Sequence, residues 1–138
     1  MIKDRSVKIE LRESWNTVLE SKKMIQANIV FAFAGGGYVS KTFKDLAYSM
    51  TLLFAFSVVE KALIQMRDEG SFSCGSSQLG ELMKKSRGSI NWIDFDGIDQ
   101  ARVNRNEVAH NHKWIDLHVC LEYLDKIELE LVNWGLFG

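Results

Sequence analysis

Between about Asp4 and Ala34 the apolar residues Leu11, Trp15, Val18, Ile25 and Ile29 recur at spacings of three, four or seven. That spacing keeps them on one face of a helix and predicts a long amphipathic helix here. Lys22 falls on the same stripe, where its stem can lie along apolar surface while the ammonium stays in water. The triplet Gly35-Gly36-Gly37 ends the pattern, because glycine adopts left-handed backbone at little cost. A second helical pattern covers about Lys41 to Arg67. It is apolar nearly all round from Leu46 to Val59, which places this helix at the centre of the fold.

Asp68 to Ser77, DEGSFSCGSS, reads as a loop, and Ser76 or Ser77 is placed to cap a short third helix ending near Ser86. RGSINWIDFDG forms a second connection. Asp96, followed by Asp99, marks the start of a fourth helix with acid where the helix dipole favours it. From about Lys113, Leu117, Cys120, Leu121, Leu124, Ile127, Leu131 and Trp134 give a final helix with a continuous apolar stripe. No proline interrupts any of this. The pattern predicts an all-α fold, a four- to five-helix bundle with two long N-terminal helices, as a single domain over residues 1–138.

Composition narrows the function classes. Apolar residues make up 46% of the chain, enough for one sizeable core, and the net charge is −1. Binding to nucleic acid must therefore come from a local patch, not from the whole molecule's field. Cys74 and Cys120 form no close-spaced pair, which argues against a disulfide framework or a zinc site. The charged N-terminal stretch shows no secretory signal. The most apolar runs, of 11 and 14 residues, fall short of the roughly 20 that span a bilayer. The expectation is a cytoplasmic protein without a membrane partner.

Two stretches invite chemistry. Gly35 to Thr42, GGGYVSKT, is one letter from a phosphate-binding P-loop, with Ser40 in the place of the last glycine. A P-loop needs a parallel-sheet context that this sequence lacks, so the stretch is read as a turn leading into a helix. The second stretch is Arg105 to His112, RNEVAHNH. His110 and His112 point about 200° apart on a helix, and no acid or thiol sits at a spacing that would complete a set with them. Neither a metal nor any other cofactor is expected. His118 falls on the apolar side of the last helix.

Asn106 and His110, four apart, share a helix face, with Arg105 about 100° round and Arg102 one turn behind it. Cutting RNA without a metal needs a group of near-neutral pKa to move protons, which histidine supplies. It also needs a fixed cation on the phosphate, which a guanidinium supplies with two parallel hydrogen bonds. A neutral amide can orient either one. A plainer reading leaves Arg105 and His110 as solvated residues near a helix C-terminus.

The hexad Arg105-Asn106-Glu107-Val108-Ala109-His110 resembles the Arg-Asn-x-x-x-His signature of the HEPN (higher eukaryotes and prokaryotes nucleotide-binding) family. Val58 to Leu63, with Glu60, is similar to that family's second long helix, which often turns an acidic residue toward the motif. The order of elements agrees as well. The resemblance implies a small helical bundle acting as a metal-independent endoribonuclease, in a toxin–antitoxin or phage-defence role. Arg105, His110 and Asn106 would then be catalytic, with Glu60, Arg102 and His112 in support. In some family toxins a tyrosine two residues after the motif histidine is modified by a partner nucleotidyltransferase. This chain has His112 there, which puts that form of control in doubt.

The expected partners are RNA as substrate, an antitoxin or other regulatory protein, and a second copy of the chain. Each chain offers one well-placed histidine, whereas transesterification needs both a proton acceptor and a proton donor. A two-fold dimer with facing motifs supplies both, and Trp92, Trp114, Trp134 and Phe137 are available to bury at its interface. The competing reading is a non-catalytic HEPN-like helical module that binds a nucleotide or a protein.

Overall fold

The computed structural model describes residues 2–34 and 41–137, and the side chains of 2–27 and 41–137. The chain forms α1 (Arg5–Ala34), α2 (Lys41–Asp68), α3 (Leu79–Ser86), α4 (Phe95–Asn111) and α5 (Leu117–Asn133). The fold is an all-α bundle. The glycine triplet and Ser40, with most of the P-loop-like stretch, lie outside the described residues.

Asp4 caps α1 by accepting the N–H of Ser6 at 2.9 Å and of Val7 at 3.3 Å. The α1 stripe buries Leu11, Trp15 and Val18, while Lys22 runs outward to Asp125 at 3.5 Å. α2 is the central element and packs against each of the other four helices. Leu52, Ala55, Phe56, Val58, Val59, Ala62, Leu63 and Met66 are fully buried on it. One continuous core takes side chains from all five helices. By length and composition α2 could also cross a bilayer, yet 56% of its most apolar window is buried within the bundle, as in a core helix.

Three boundaries fall elsewhere than the sequence predicts. Gln78, not a serine, precedes α3, because Ser76 Oγ accepts the Gln78 N–H and closes a local turn. α4 is capped by Asp94, whose carboxylate accepts the Gly97 N–H at 3.0 Å, so Asp96 lies inside the first turn. α5 starts at Leu117 instead of Lys113. His112 adopts the left-handed conformation (φ 55°) and ends α4, after which the chain crosses to α2 before turning helical again.

That crossing is firmly held. Ser49 Oγ of α2 accepts the Ile115 N–H at 2.9 Å, and Asp45 accepts the Leu117 N–H at 2.8 Å. Lys41 bridges Asp45 and Asp116 at 2.9 and 3.0 Å. These contacts tie the connection between α4 and α5 to the N-terminal half of α2.

Candidate functional site

α4 carries the sequence motif along the side that faces α2 and α3. Ile98, Ala101 and Val108 are buried and anchor the helix. The residues between these anchors open into a cleft of about 840 Å³. Arg105, Asn106, His110 and Arg102 line it from α4, and Glu60 lines it from α2. Five of the six residues singled out in the sequence thus share one concave surface. The sixth, His112, is exposed at the left-handed end of α4 and lines no part of it.

Arg105 is half-buried in the cleft. Its Nη1 donates to Asn106 Oδ1 at 3.0 Å, and its guanidinium lies 5.7 Å from the centre of the Phe56 ring. Its Nε is buried with no hydrogen-bond partner among the described residues. Burial pulls the Arg105 pKa below its ordinary value, the negative charge of Glu60 works against that, and neighbouring Arg102 adds to it. An arginine remains charged under these conditions. The result is a fixed, partly desolvated cation whose hydrogen-bonding capacity is not used up within the chain.

In the supporting role that the resemblance implies, Glu60 would hold Arg105 or Arg102, or orient His110. It shares their cleft and acts on Arg105 through its charge, but among the described residues it forms no ion pair or hydrogen bond with any of the three. Arg102 is held by Asp99 instead, at 2.9 Å across one helical turn. His110 is exposed in the last turn of α4 and has no hydrogen-bond partner among the described residues. Asn106 therefore engages Arg105, leaving the imidazole free to turn.

The other wall was not anticipated from the sequence. Ser77, Gln78, Leu79, Gly80, Glu81, Lys84 and Arg87 line it, with Phe95 at the start of α4. The sequence signal was present in KKSR at 84–87, a short basic run on an amphipathic helix. Gly80 lets α3 approach α4 closely, since a Cβ there would stand 3.2 Å from Arg102 Nη1. Among the lining residues four fixed cations face three carboxylates, so the cleft suits an anionic ligand that also offers hydrogen-bond donors.

The other sequence candidates lie elsewhere. His118 is exposed, not on the apolar side of α5, because it shares a face with exposed Glu122 and Asp125 and lies about 200° round from buried Cys120. Trp134 is 1% exposed and belongs to the core. Trp114 and Phe137 remain 42% and 36% exposed and could still anchor a partner. No family model, curated protein or solved structure matches the chain, so the reading of this cleft rests on its own chemistry.

Proposed function

We propose that the protein is an HEPN-like, metal-independent endoribonuclease. The observation that carries this reading is the convergence of Arg105, Asn106 and His110 with Arg102 and Glu60 on one cleft. In the proposed reaction a ribose 2′-oxygen attacks the adjacent phosphorus. The 2′-hydroxyl proton passes to a base, the bond to the 5′-oxygen breaks, and an acid protonates that oxygen. The products are a 2′,3′-cyclic phosphate and a 5′-hydroxyl. Arg105 binds the phosphoryl oxygens as charge redistributes, and its partly buried setting strengthens that interaction. His110 carries the proton.

One imidazole per chain serves one of the two proton transfers at a time. The proposal therefore includes a two-fold dimer that brings two copies of His110 and Arg105 to one cleft. The free ring of His110 fits a site completed by a second copy. The same freedom also favours the competing reading, a module that binds a nucleotide or a protein without cutting. Toxin or defence activity, held in check by an antitoxin, is the role that such cleavage would serve.

Incubating the purified protein with RNA in excess chelator tests the proposal. Cyclic phosphate ends, together with a dimer by mass measurement in solution, are expected. Intact RNA leaves the binding module, and plain 3′-hydroxyl ends would rule out transesterification.

A further inference from the structure

Away from the motif, the wall of the cleft ends in a feature that the cleavage chemistry does not use. The Arg87 guanidinium lies over the Phe95 ring, 4.5 Å from its centre. Phe95 is braced from the side by Trp92 (5.2 Å between ring centres, 86° between planes). Trp92 in turn packs edge-on against buried Trp134 and donates its indole N–H to Ser86 Oγ at 3.0 Å. The ring under Arg87 is therefore fixed by the core.

The cation above it is available. Its ion pair is with Asp96 at 3.2 Å, and the two side chains are 60% and 81% exposed, so water screens that bond heavily. Arg87, Phe95 and Lys84 line the same cleft as Arg105 and His110. A planar guanidinium backed by an aromatic ring, with an ammonium nearby, is what a nucleobase and its phosphate need: a face to stack on and a charge to pair with.

We propose that Arg87 and Phe95 form a nucleobase subsite for a residue flanking the cut, with Lys84 drawing the neighbouring phosphate. A base inside a duplex has both faces covered by its neighbours, and only an unpaired base can lie on such a platform. The substrate class is therefore single-stranded RNA. This inference rests on the ribonuclease reading for its substrate, but the binding it describes is measured separately from cutting.

The test is fluorescence anisotropy in chelator, using a short labelled RNA either as a single strand or annealed to its complement, with cleavage followed in parallel. The single strand should bind more tightly than the duplex. Arg87→Ala and Phe95→Leu should each weaken single-strand binding at least about fivefold, as loss of one stacked base does. Phe95→Trp, which keeps an aromatic face, should retain most of it. Arg87 is exposed, so its variant carries the test even if Phe95→Leu misfolds. Equal affinity for the duplex, no single-strand binding, or unchanged binding by Arg87→Ala overturns the subsite. Weakened binding by Arg87→Ala in a protein that cuts nothing upholds the subsite and removes the ribonuclease reading. Cutting with unaltered binding does the reverse.

Discussion

α4 meets the rest of the bundle in two polar places, and they are built in opposite ways. At its start, the carboxylate of Glu130 is 1% exposed and accepts N–H groups from Ile93, at 2.8 and 3.1 Å, and Asp94, at 2.9 Å. Asn133 and Trp134 both donate to Asn91 O, and Asp94 then caps the helix. In its second half, Arg105 has a buried Nε without a partner, and neither Glu60 nor His110 is hydrogen-bonded among the described residues. A buried polar group with all its bonds made holds a structure together. A cluster with bonds left over can bind something else, and the unmade bonds cost stability until it does. The contrast assigns architecture to the first place and supports the proposed function for the second.

The sharpest way to break the contrast is to remove the motif side chains. His110→Ala and Arg105→Ala should each lower RNA cleavage by about a hundredfold to ten-thousandfold, the usual worth of a general acid–base or a charge-stabilising group. His110→Ala should leave stability within about 0.5 kcal/mol, because the side chain is exposed. Initial rates and urea unfolding measured on the same preparations check both halves. A variant that cuts as fast as the parent removes that residue from the chemistry.

Stability should respond in the opposite place. Glu130→Leu strips the Ile93 and Asp94 N–H groups of their acceptor in a buried setting, and about 3 kcal/mol should be lost. Glu60→Leu removes a carboxylate that anchors nothing directly, and the change should stay within about 1 kcal/mol. Urea midpoints for the two variants should differ several-fold in their shift from the parent. Comparable losses would show that the cleft is as structural as the start of α4.

The two places were not equally legible in the sequence. α1 and α5 follow from apolar spacing, since burial at a period of 3.6 residues is a local signal, and α2 follows from a long run that is apolar nearly all round. The motif was legible because Arg105, Asn106 and His110 lie within one helix, where spacing alone decides which side chains share a face. Glu130 and the α3 wall were not. Glu130 sits on a helix where an acid ordinarily faces water, and only the fold brings the 93–94 backbone to it. Lys84, Arg87 and Phe95 reach the motif by packing between separate elements. The later start of α5 follows the end of α4 at His112, whose left-handed conformation no periodicity reports.

The start of α4 should also reveal itself through pH. Accepting the Gly97 N–H, and next the Lys126 ammonium at 3.2 Å, holds the Asp94 pKa below the usual carboxylate range. A depressed folded-state pKa means the cap adds stability above the unfolded-state pKa and loses it as pH falls through the folded one. Stability should therefore decline on acidification below the ordinary carboxylate range. In Asp94→Asn, which keeps an acceptor but cannot titrate, the decline should be shallower. Asp94→Ala should cost about 1 kcal/mol at neutral pH, the ordinary worth of an N-cap. Thermal melts across the acid range would show it, and parallel curves for parent and Asp94→Asn would remove Asp94 from the account.

The smallest expected effect is the most discriminating, because its two readouts move in opposite directions. Gly80 is the second residue of α3, in its first turn, where replacing glycine with alanine favours the helix by less than the about 1 kcal/mol of a helix interior. The added Cβ would stand 3.2 Å from Arg102 Nη1 and 3.4 Å from Cζ, tighter than ordinary contact. The neighbour that must yield is the end of a flexible side chain whose Nε stays bonded to Asp99. It can swing by a few tenths of an ångström without disturbing the backbone. Gly80→Ala should therefore be as stable as the parent or more so, by about 0.5 kcal/mol, while its Arg102 no longer sits where the cleft placed it. RNA affinity should fall a few-fold, as for one displaced phosphate contact. Melting temperature and binding titration on one sample decide the matter. A gain in stability with undiminished binding would mean that Arg102 takes no part in the cleft's function.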